Sequence, residues 1–396
     1  MVYKQAKSLK SFFFQNIFVI TITSLGLVSL ALLLTKRQAE FTEYTLEALF
    51  LIYALLGFWW TKKQKIIPSI IFIRWFSILY LVLSYFWAVM YKGANIQDFL
   101  LIYKFVIYFF FLTFLTGKEL MTYKGTNRVF MIALALFSTK YLAAIVIKGE
   151  NRPILFMENN FELMFIYALF LVRYTVTKEK SLMLLAFAGV ITILSLSRSS
   201  LLMYSVLVLF VFYDTFKKTR VFIVPGAILV LGVVAYMVFS QRSDSLEDVD
   251  RYRFMLVWWS QVKDWNLFEW LFGAPRISRL SSGACSYMNY FKMMFSRSGD
   301  GTCYSVVLHS FLLRVIYDHG ILGLVFIIYA CYQLLVRSGV RKDVSWVFIA
   351  IVLINGLSVS SFNNLFFAVS MVFLMTTNVR FPEQEDDETN RINITG

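Results

Sequence analysis

The chain has 396 residues, 59% hydrophobic and only 16% charged, with a formal net charge of +14. Ordinary soluble chains are about 45–50% apolar and about 25% charged, so too little polar surface is present to coat a water-soluble globule of this size. That excludes a soluble enzyme or a nucleic-acid-binding domain, and it directs attention to where each Lys and Arg stands relative to the apolar runs.

In chain order, apolar windows predict twelve helices at about 12–34, 44–60, 66–91, 98–116, 127–147, 156–172, 181–197, 199–214, 221–239, 306–336, 344–359 and 362–379. A bilayer-crossing helix needs about 20 apolar residues, and such runs recur along nearly the whole length. The first run lacks a small-residue cleavage site, so it reads as a retained span rather than a signal peptide. The expectation is an all-α, polytopic integral membrane protein forming one domain over 1–396, with a large polar loop at 240–308 and a short tail at 380–396.

The connections alternate in charge. Lys4, Lys7 and Lys10, then Lys62, Lys63 and Lys65, then Lys118, Lys124 and Arg128 fall on one side; Arg173, Lys178 and Lys180, then Lys217, Lys218 and Arg220, then Arg337, Arg341 and Lys342, and finally Arg380 and Arg391 continue the pattern. That places 20 basic residues on one side against five in the short loops opposite: Lys36, Arg37, Lys92, Lys148 and Arg152. The positive-inside rule makes both termini cytoplasmic and the 240–308 loop external. The same rule splits 181–214 into two spans at Arg198, because one long helix would put the later basic clusters outside.

The external side collects arginines: Arg198 in Ser-Leu-Ser-Arg-Ser-Ser, then Arg242, Arg251, Arg253, Arg276, Arg279 and Arg297 in the loop, and Arg314 beyond it. Orientation needs only positive charge, whereas the planar guanidinium fork suits phosphate or carboxylate. The bias points to an anionic ligand, with ordinary pairing to the loop's seven acidic residues as the alternative. Arg198 stands before Ser199 and Ser200, which open the next helix, and a helix N-terminus with an arginine can cradle phosphate. A snorkelling Arg beside an N-capping serine is the plainer reading. His309, at the external membrane edge, is a candidate general base for a hydroxyl. His319 lies about 15 Å farther along if the helix is continuous, too far to join it, and Arg314 and Asp318 are spaced to pair with each other. Glu47, Arg74, Lys104, Lys140, Glu158 and Glu162 lie within predicted spans and are the main support for a transporter. Cys285 and Cys303 can form a disulfide in an oxidising compartment or remain two thiols. No zinc site is readable, no phosphate-binding Gly-rich loop occurs, and no soluble domain carries an Asp-x-Asp pair to hold a metal-bound nucleotide-sugar, so a lipid-borne donor is expected for any transfer.

These motifs resemble the O-antigen ligase and polymerase superfamily, which includes Wzy-type polymerases and WaaL-type ligases of bacterial inner membranes. Four features occur in the family's order: Ser-x-Ser-Arg-Ser at Ser195–Ser199, an Arg and an aromatic-rich helix at Arg253–Trp258, Gly-x-Pro at Gly273–Pro275, and a motif that reads His-Asn-x-x-Leu-x-x-x-x-Glu-x-Gly in the family. Here it runs His309, Ser310, Leu313, Asp318 and Gly320, followed by Gly323, with Ser and Asp replacing Asn and Glu. The resemblance covers roughly 155–380. It implies an inverting, metal-independent glycosyltransferase without cofactors that uses undecaprenyl-pyrophosphate-linked glycan as donor and acceptor. Arg198 and Arg253, or Arg251, would bind the pyrophosphate and His309 would deprotonate the acceptor. Arg276, Arg314 and Ser199 would be further substrate contacts, and Trp258, Trp259, Trp265 and Trp270 would stack on sugars or form an interfacial belt. A polymerase of O-antigen or capsule repeat units, with membrane lipid and a chain-length regulator protein as partners, is the expectation. The alternatives are a ligase acting on lipid A core and a transporter of the lipid-linked glycan.

Overall fold

The computed structural model describes residues 2–34, 41–60, 67–149, 153–213 and 250–378. The predicted span at 221–239, loop residues 240–249 with Arg242, and the tail at 380–396 lie outside them. Among the described residues the architecture is all-α, with no strand beyond an isolated bridge between Met121 and Thr377. The helices are α1 (Val2–Ala31), α2 (Phe41–Trp60), α3 (Pro68–Tyr85), α4 (Ile96–Leu112), α5 (Tyr123–Lys148), α6 (Asn159–Thr177), α7 (Leu182–Leu194), α8 (Arg198–Val211), α9 (Asp250–Val262), α10 (Leu267–Phe272), α11 (Ser282–Tyr287), α12 (Phe311–Arg337), α13 (Lys342–Gly356) and α14 (Leu365–Thr376). A π-helical segment, Phe86–Tyr91, prolongs α3.

Among the described residues three stretches are long and apolar enough to cross a membrane: Pro68–Tyr91, Tyr123–Lys148 and Phe311–Arg337. Shorter apolar helices accompany them, among them Leu182–Leu194, Arg198–Val211 and Leu365–Thr376. Together with the exposed Phe72, Trp75, Leu79 and Leu83 along α3, this is the surface of a membrane protein. Helices α6 and α14 are buried on nearly all sides and pack on each other at the centre. A helix apolar around its whole circumference belongs in such a position. Around them α1 packs on α5, α3 on α4, and α13 on both α8 and α12.

Polar contacts define two ends of this bundle. At one, the Gly117 amide donates to Ser338 Oγ (3.2 Å) and the Leu120 amide to the Thr376 carbonyl (3.0 Å). Arg173 there reaches Asn127 (2.8 Å) and Glu179 (3.1 Å). At the other, Ser296 Oγ donates to Asp98 (2.6 Å), and the Phe105 amide donates to Asn363 Oδ1 (2.8 Å). The α7–α8 break falls at Ser195–Ser197, where Leu196 has φ +48° and Ser197 caps α8 by accepting from the Ser200 amide. The predicted helix at 306–336 is not continuous. A 3-10 turn at Ser305–Leu308 precedes it, His309 has φ +57°, and Gly320 (φ +68°, ψ −175°) interrupts α12 internally.

The described part of the 240–308 loop builds a small core of its own. Phe254, Val257, Leu280, Ala284, Met288 and Val307 pack together with Tyr317 of α12. Cys285 and Cys303 form a disulfide within it, their Cα atoms 5.7 Å apart.

Candidate functional site

His309 ends the 3-10 turn in a left-handed conformation, which costs a non-glycine residue roughly 1–2 kcal/mol and persists only where the surroundings enforce it. The enforcement is visible. Ser310 Oγ donates to the Gly356 carbonyl (3.0 Å), and the Phe311 amide donates to the Val359 carbonyl (3.3 Å). The His309 carbonyl accepts from Ser360 Oγ (3.4 Å), and Ser360 Oγ in turn accepts from Arg314 Nη1 (2.5 Å). The expected Arg314–Asp318 ion pair does not form. Asp318 accepts instead from Ser305 Oγ (2.5 Å), and Arg314, only 3% exposed, is spent on holding the His309 turn. Its Nε is buried without an acceptor.

The His309 ring is half-buried and faces Phe254, with ring centroids 6.3 Å apart. Phe254 lies on α9, which also carries Arg251 and Arg253, both half-buried. Arg253 is its immediate neighbour, and Arg251 stands three residues before it, on the same face. A helix bearing two guanidinium groups is thus docked beside the one imidazole in the turn.

Arg198 and Ser199 open α8 at the same end of the bundle as the His309 turn. The hydroxyls of Ser197, Ser199 (3.1 Å) and Ser200 (3.3 Å) all donate to Asn160 Oδ1, and Asn159 Nδ2 donates to the Ser195 carbonyl (3.0 Å). The serine-rich turn is therefore stapled to the N-terminus of α6. Ser199 is buried in this network, whereas Arg198 is half-buried at its edge.

Arg276 does not join His309. Its guanidinium lies over the Tyr80 ring, 4.8 Å from the centroid, and lines a cleft with His319. Two glycines bring it there. An added Cβ on Gly273 (φ +80°) would stand 2.6 Å from the His319 amide nitrogen, and one on Gly320 would stand 2.3 Å from the Leu271 carbonyl oxygen. Only glycine permits this backbone-to-backbone approach, which the Ala274 amide completes by donating to the Tyr317 carbonyl (2.8 Å). The Gly-x-Pro element and the glycines after His309 are thus two halves of one joint.

The tryptophans are neither a free stacking platform nor a simple belt. Trp265 stacks on Tyr317 (5.7 Å, 26°) and meets Trp270, which meets Trp258; only Trp259 is largely exposed. The charges within the bundle also have structural partners. Lys104 pairs with Glu43 (3.0 Å) and Glu47 (2.7 Å), Lys140 donates to the Ser29 carbonyl (2.6 Å), and Arg74 donates to Thr113 (3.0 Å). Glu162 accepts from the amides of Leu155, Phe156 and Met157 and from Tyr141. Among the described residues no group of three or more His, Cys, Asp or Glu side chains converges to hold a metal ion.

Sequence reasoning missed Ser360, Tyr80 and His319 as members of polar arrangements. Ser360 and Tyr80 carry no motif, and a continuous helix would hold His319 too far from His309 to suggest a site of its own. Comparison of the chain with known protein families, curated proteins and solved structures returns no match.

Proposed function

We propose that the protein is an inverting, metal-independent glycosyltransferase that joins undecaprenyl-pyrophosphate-linked oligosaccharide repeat units at the outer face of a bacterial inner membrane. In this reading the chain spans the bilayer twelve times, counting 221–239, with both termini cytoplasmic. The observation that carries it is the docking of α9, with Arg251 and Arg253, against the strained His309 turn. The orientation draws support from Lys118, Lys124, Arg128, Arg173, Arg337, Arg341 and Lys342, which share the bundle end opposite the loop. A disulfide in the loop suits an oxidising compartment.

The chemistry follows from the positions. The acceptor sugar hydroxyl gives its proton to the His309 imidazole as its oxygen attacks the anomeric carbon of the donor. The bond from that carbon to the pyrophosphate oxygen breaks, the configuration inverts, and undecaprenyl pyrophosphate departs with the electron pair. Arg251, Arg253 and Arg198 stabilise the charge that accumulates on the leaving group.

The test is incubation of the purified protein with synthetic lipid-linked repeat units, without added metal or nucleotide. A ladder of longer chains is expected, lost in His309→Ala and in Arg253→Ala. Single transfers onto lipid A core alone would make the protein a ligase. Transport across vesicles with no new glycosidic bond would make it a transporter, and wild-type ladders from both variants would remove the mechanism.

A further inference from the structure

Ten residues beyond His309, α3 and α12 part to form a cleft of about 410 Å³ lined by Phe76, Tyr80, Phe272, Arg276, His319 and Phe326, together with Leu322. Its polar groups are concentrated at one end. His319, 6% exposed, shares a 2.6 Å hydrogen bond through Nδ1 with the Tyr80 hydroxyl, and among the described residues no group hydrogen-bonds its Nε2. With Tyr80 as donor, the neutral imidazole carries its proton on Nε2 and offers it to an acceptor in the cleft. Arg276 stands on the same wall, with no carboxylate within ion-pairing distance among the described residues. Lys92 Nζ, donating to the Arg276 carbonyl (3.5 Å), adds a second cation nearby.

The rest of the cleft is apolar and opens sideways. Leu322 is 44% exposed and Phe272 43%, while Phe72 and Val325 lie exposed beside them on α3 and α12. The apolar seam continues along the two helices through the ring contacts Phe76–Phe326 (4.4 Å) and Phe72–Tyr329 (6.4 Å). A free phosphate or a sugar would use the polar end and leave this wall unfilled. A lipid entering from the bilayer uses both, and a volume at the lower end of small-molecule pockets admits one chain rather than two.

We propose that this cleft binds a single-chain lipid with a phosphate head, Arg276 and His319 holding the head while Phe76, Phe272, Leu322 and Phe326 line the chain. The proposal rests on the transfer reading only for the identity of that lipid, which would be the carrier of the second, accepting repeat unit. A reaction between two lipid-linked substrates needs two lipid sites, and this one is separated from His309 by the whole first segment of α12. Gly323 belongs to the same device: a Cβ there would stand 2.3 Å from His319 Cβ, so glycine leaves the imidazole its place.

The experiment is photolabelling of the purified full-length protein with farnesyl phosphate bearing a diazirine on its chain, with adducts mapped by peptide mass spectrometry. Adducts are expected on residues 72–83 and 319–329. Excess farnesyl phosphate should suppress them, and farnesol, inorganic phosphate or phosphatidylglycerol at the same concentration should not. Arg276→Ala should lower the yield about tenfold, the effect of one charge-assisted hydrogen bond, with partial recovery in Arg276→Lys. Tyr80→Phe, which keeps the ring beneath Arg276 but frees His319, should lower it as well. Unchanged labelling in Arg276→Ala and Tyr80→Phe, or equal competition by farnesol or phosphatidylglycerol, would overturn the proposal. His309→Ala separates the two readings: it should abolish ladders and leave labelling intact. Ladders surviving in that variant would sink the transfer reading and not the cleft.

Discussion

The joint between the loop and α12 yields a quantitative prediction for Gly320→Ala. Gly320 has φ +68° and ψ −175°, a region almost closed to other residues. Occupying it with alanine costs about 1–3 kcal/mol in backbone strain. The new methyl would also stand 2.3 Å from the Leu271 carbonyl oxygen and 2.4 Å from its carbon, backbone atoms that cannot rotate away. Relieving that overlap moves the 271–276 segment off α12, and overpacking of this kind adds about 1–3 kcal/mol. The sum is about 2–6 kcal/mol. Gly299→Ala is the internal control: its φ is +74°, but nothing lies within 4 Å of the added Cβ, so it bears only the conformational cost of about 1–2 kcal/mol. The assay is thermal unfolding of the purified protein followed by tryptophan fluorescence, since Trp265 stacks on Tyr317 beside the joint. Gly320→Ala should unfold at a clearly lower temperature than Gly299→Ala. A midpoint equal to or above that of Gly299→Ala would refute the backbone-contact argument.

Three further outcomes are expected. Ser360→Ala strands Arg314 Nη1 and removes the donor to the His309 carbonyl, so stability should fall by about 1–3 kcal/mol and ladder synthesis should slow with little change in KM, while Ser360→Thr restores both. Asp300 accepts from the Thr302 amide and from Ser298, which pulls its carboxyl down to about 2. A depressed acid stabilises its turn above its ordinary value of 3.8, and the effect is lost as pH falls through about 2; protection of the Thr302 amide relative to its intrinsic exchange rate should fall in that window, and in Asp300→Asn it should no longer change with pH there. Cysteines introduced at Asn289 and Lys342, both exposed, should react with an impermeant maleimide from opposite sides of sealed vesicles, and reaction of both from one side would reject the topology.

Much of this arrangement was legible in the sequence, for identifiable reasons. Apolar runs revealed most helices because a bilayer permits few alternatives to a self-satisfied helix. Charge alternation located the break at Arg198, which hydropathy alone would have passed over, and the structure places that break at Ser195–Ser197. The break within α12 was invisible because 306–336 reads as one apolar window, and the reason for Gly320 is a tertiary contact with Leu271 more than forty residues away. Cys285 and Cys303 could not be paired from spacing, whereas a Cα separation of 5.7 Å suits a disulfide. Composition could not reveal that Trp265 stacks on Tyr317, because that contact is made only when the loop folds onto α12.

The ionisable residues inside the bundle show why a charge in an apolar setting marks a site only when its partners are missing. An unpaired charge there is costly, so evolution either pairs it or uses it. Lys104 has two carboxylates, and Glu162 has three amides and a tyrosine hydroxyl, so both are accounted for as packing. Arg276 and His319 differ: the first lies over an aromatic ring with no carboxylate within ion-pairing distance among the described residues, and the second lines a cleft. They stand at the bundle end where the arginine-bearing loop folds down. The functional signal therefore lies less in which charged residues the chain contains than in which of them its own fold leaves unanswered.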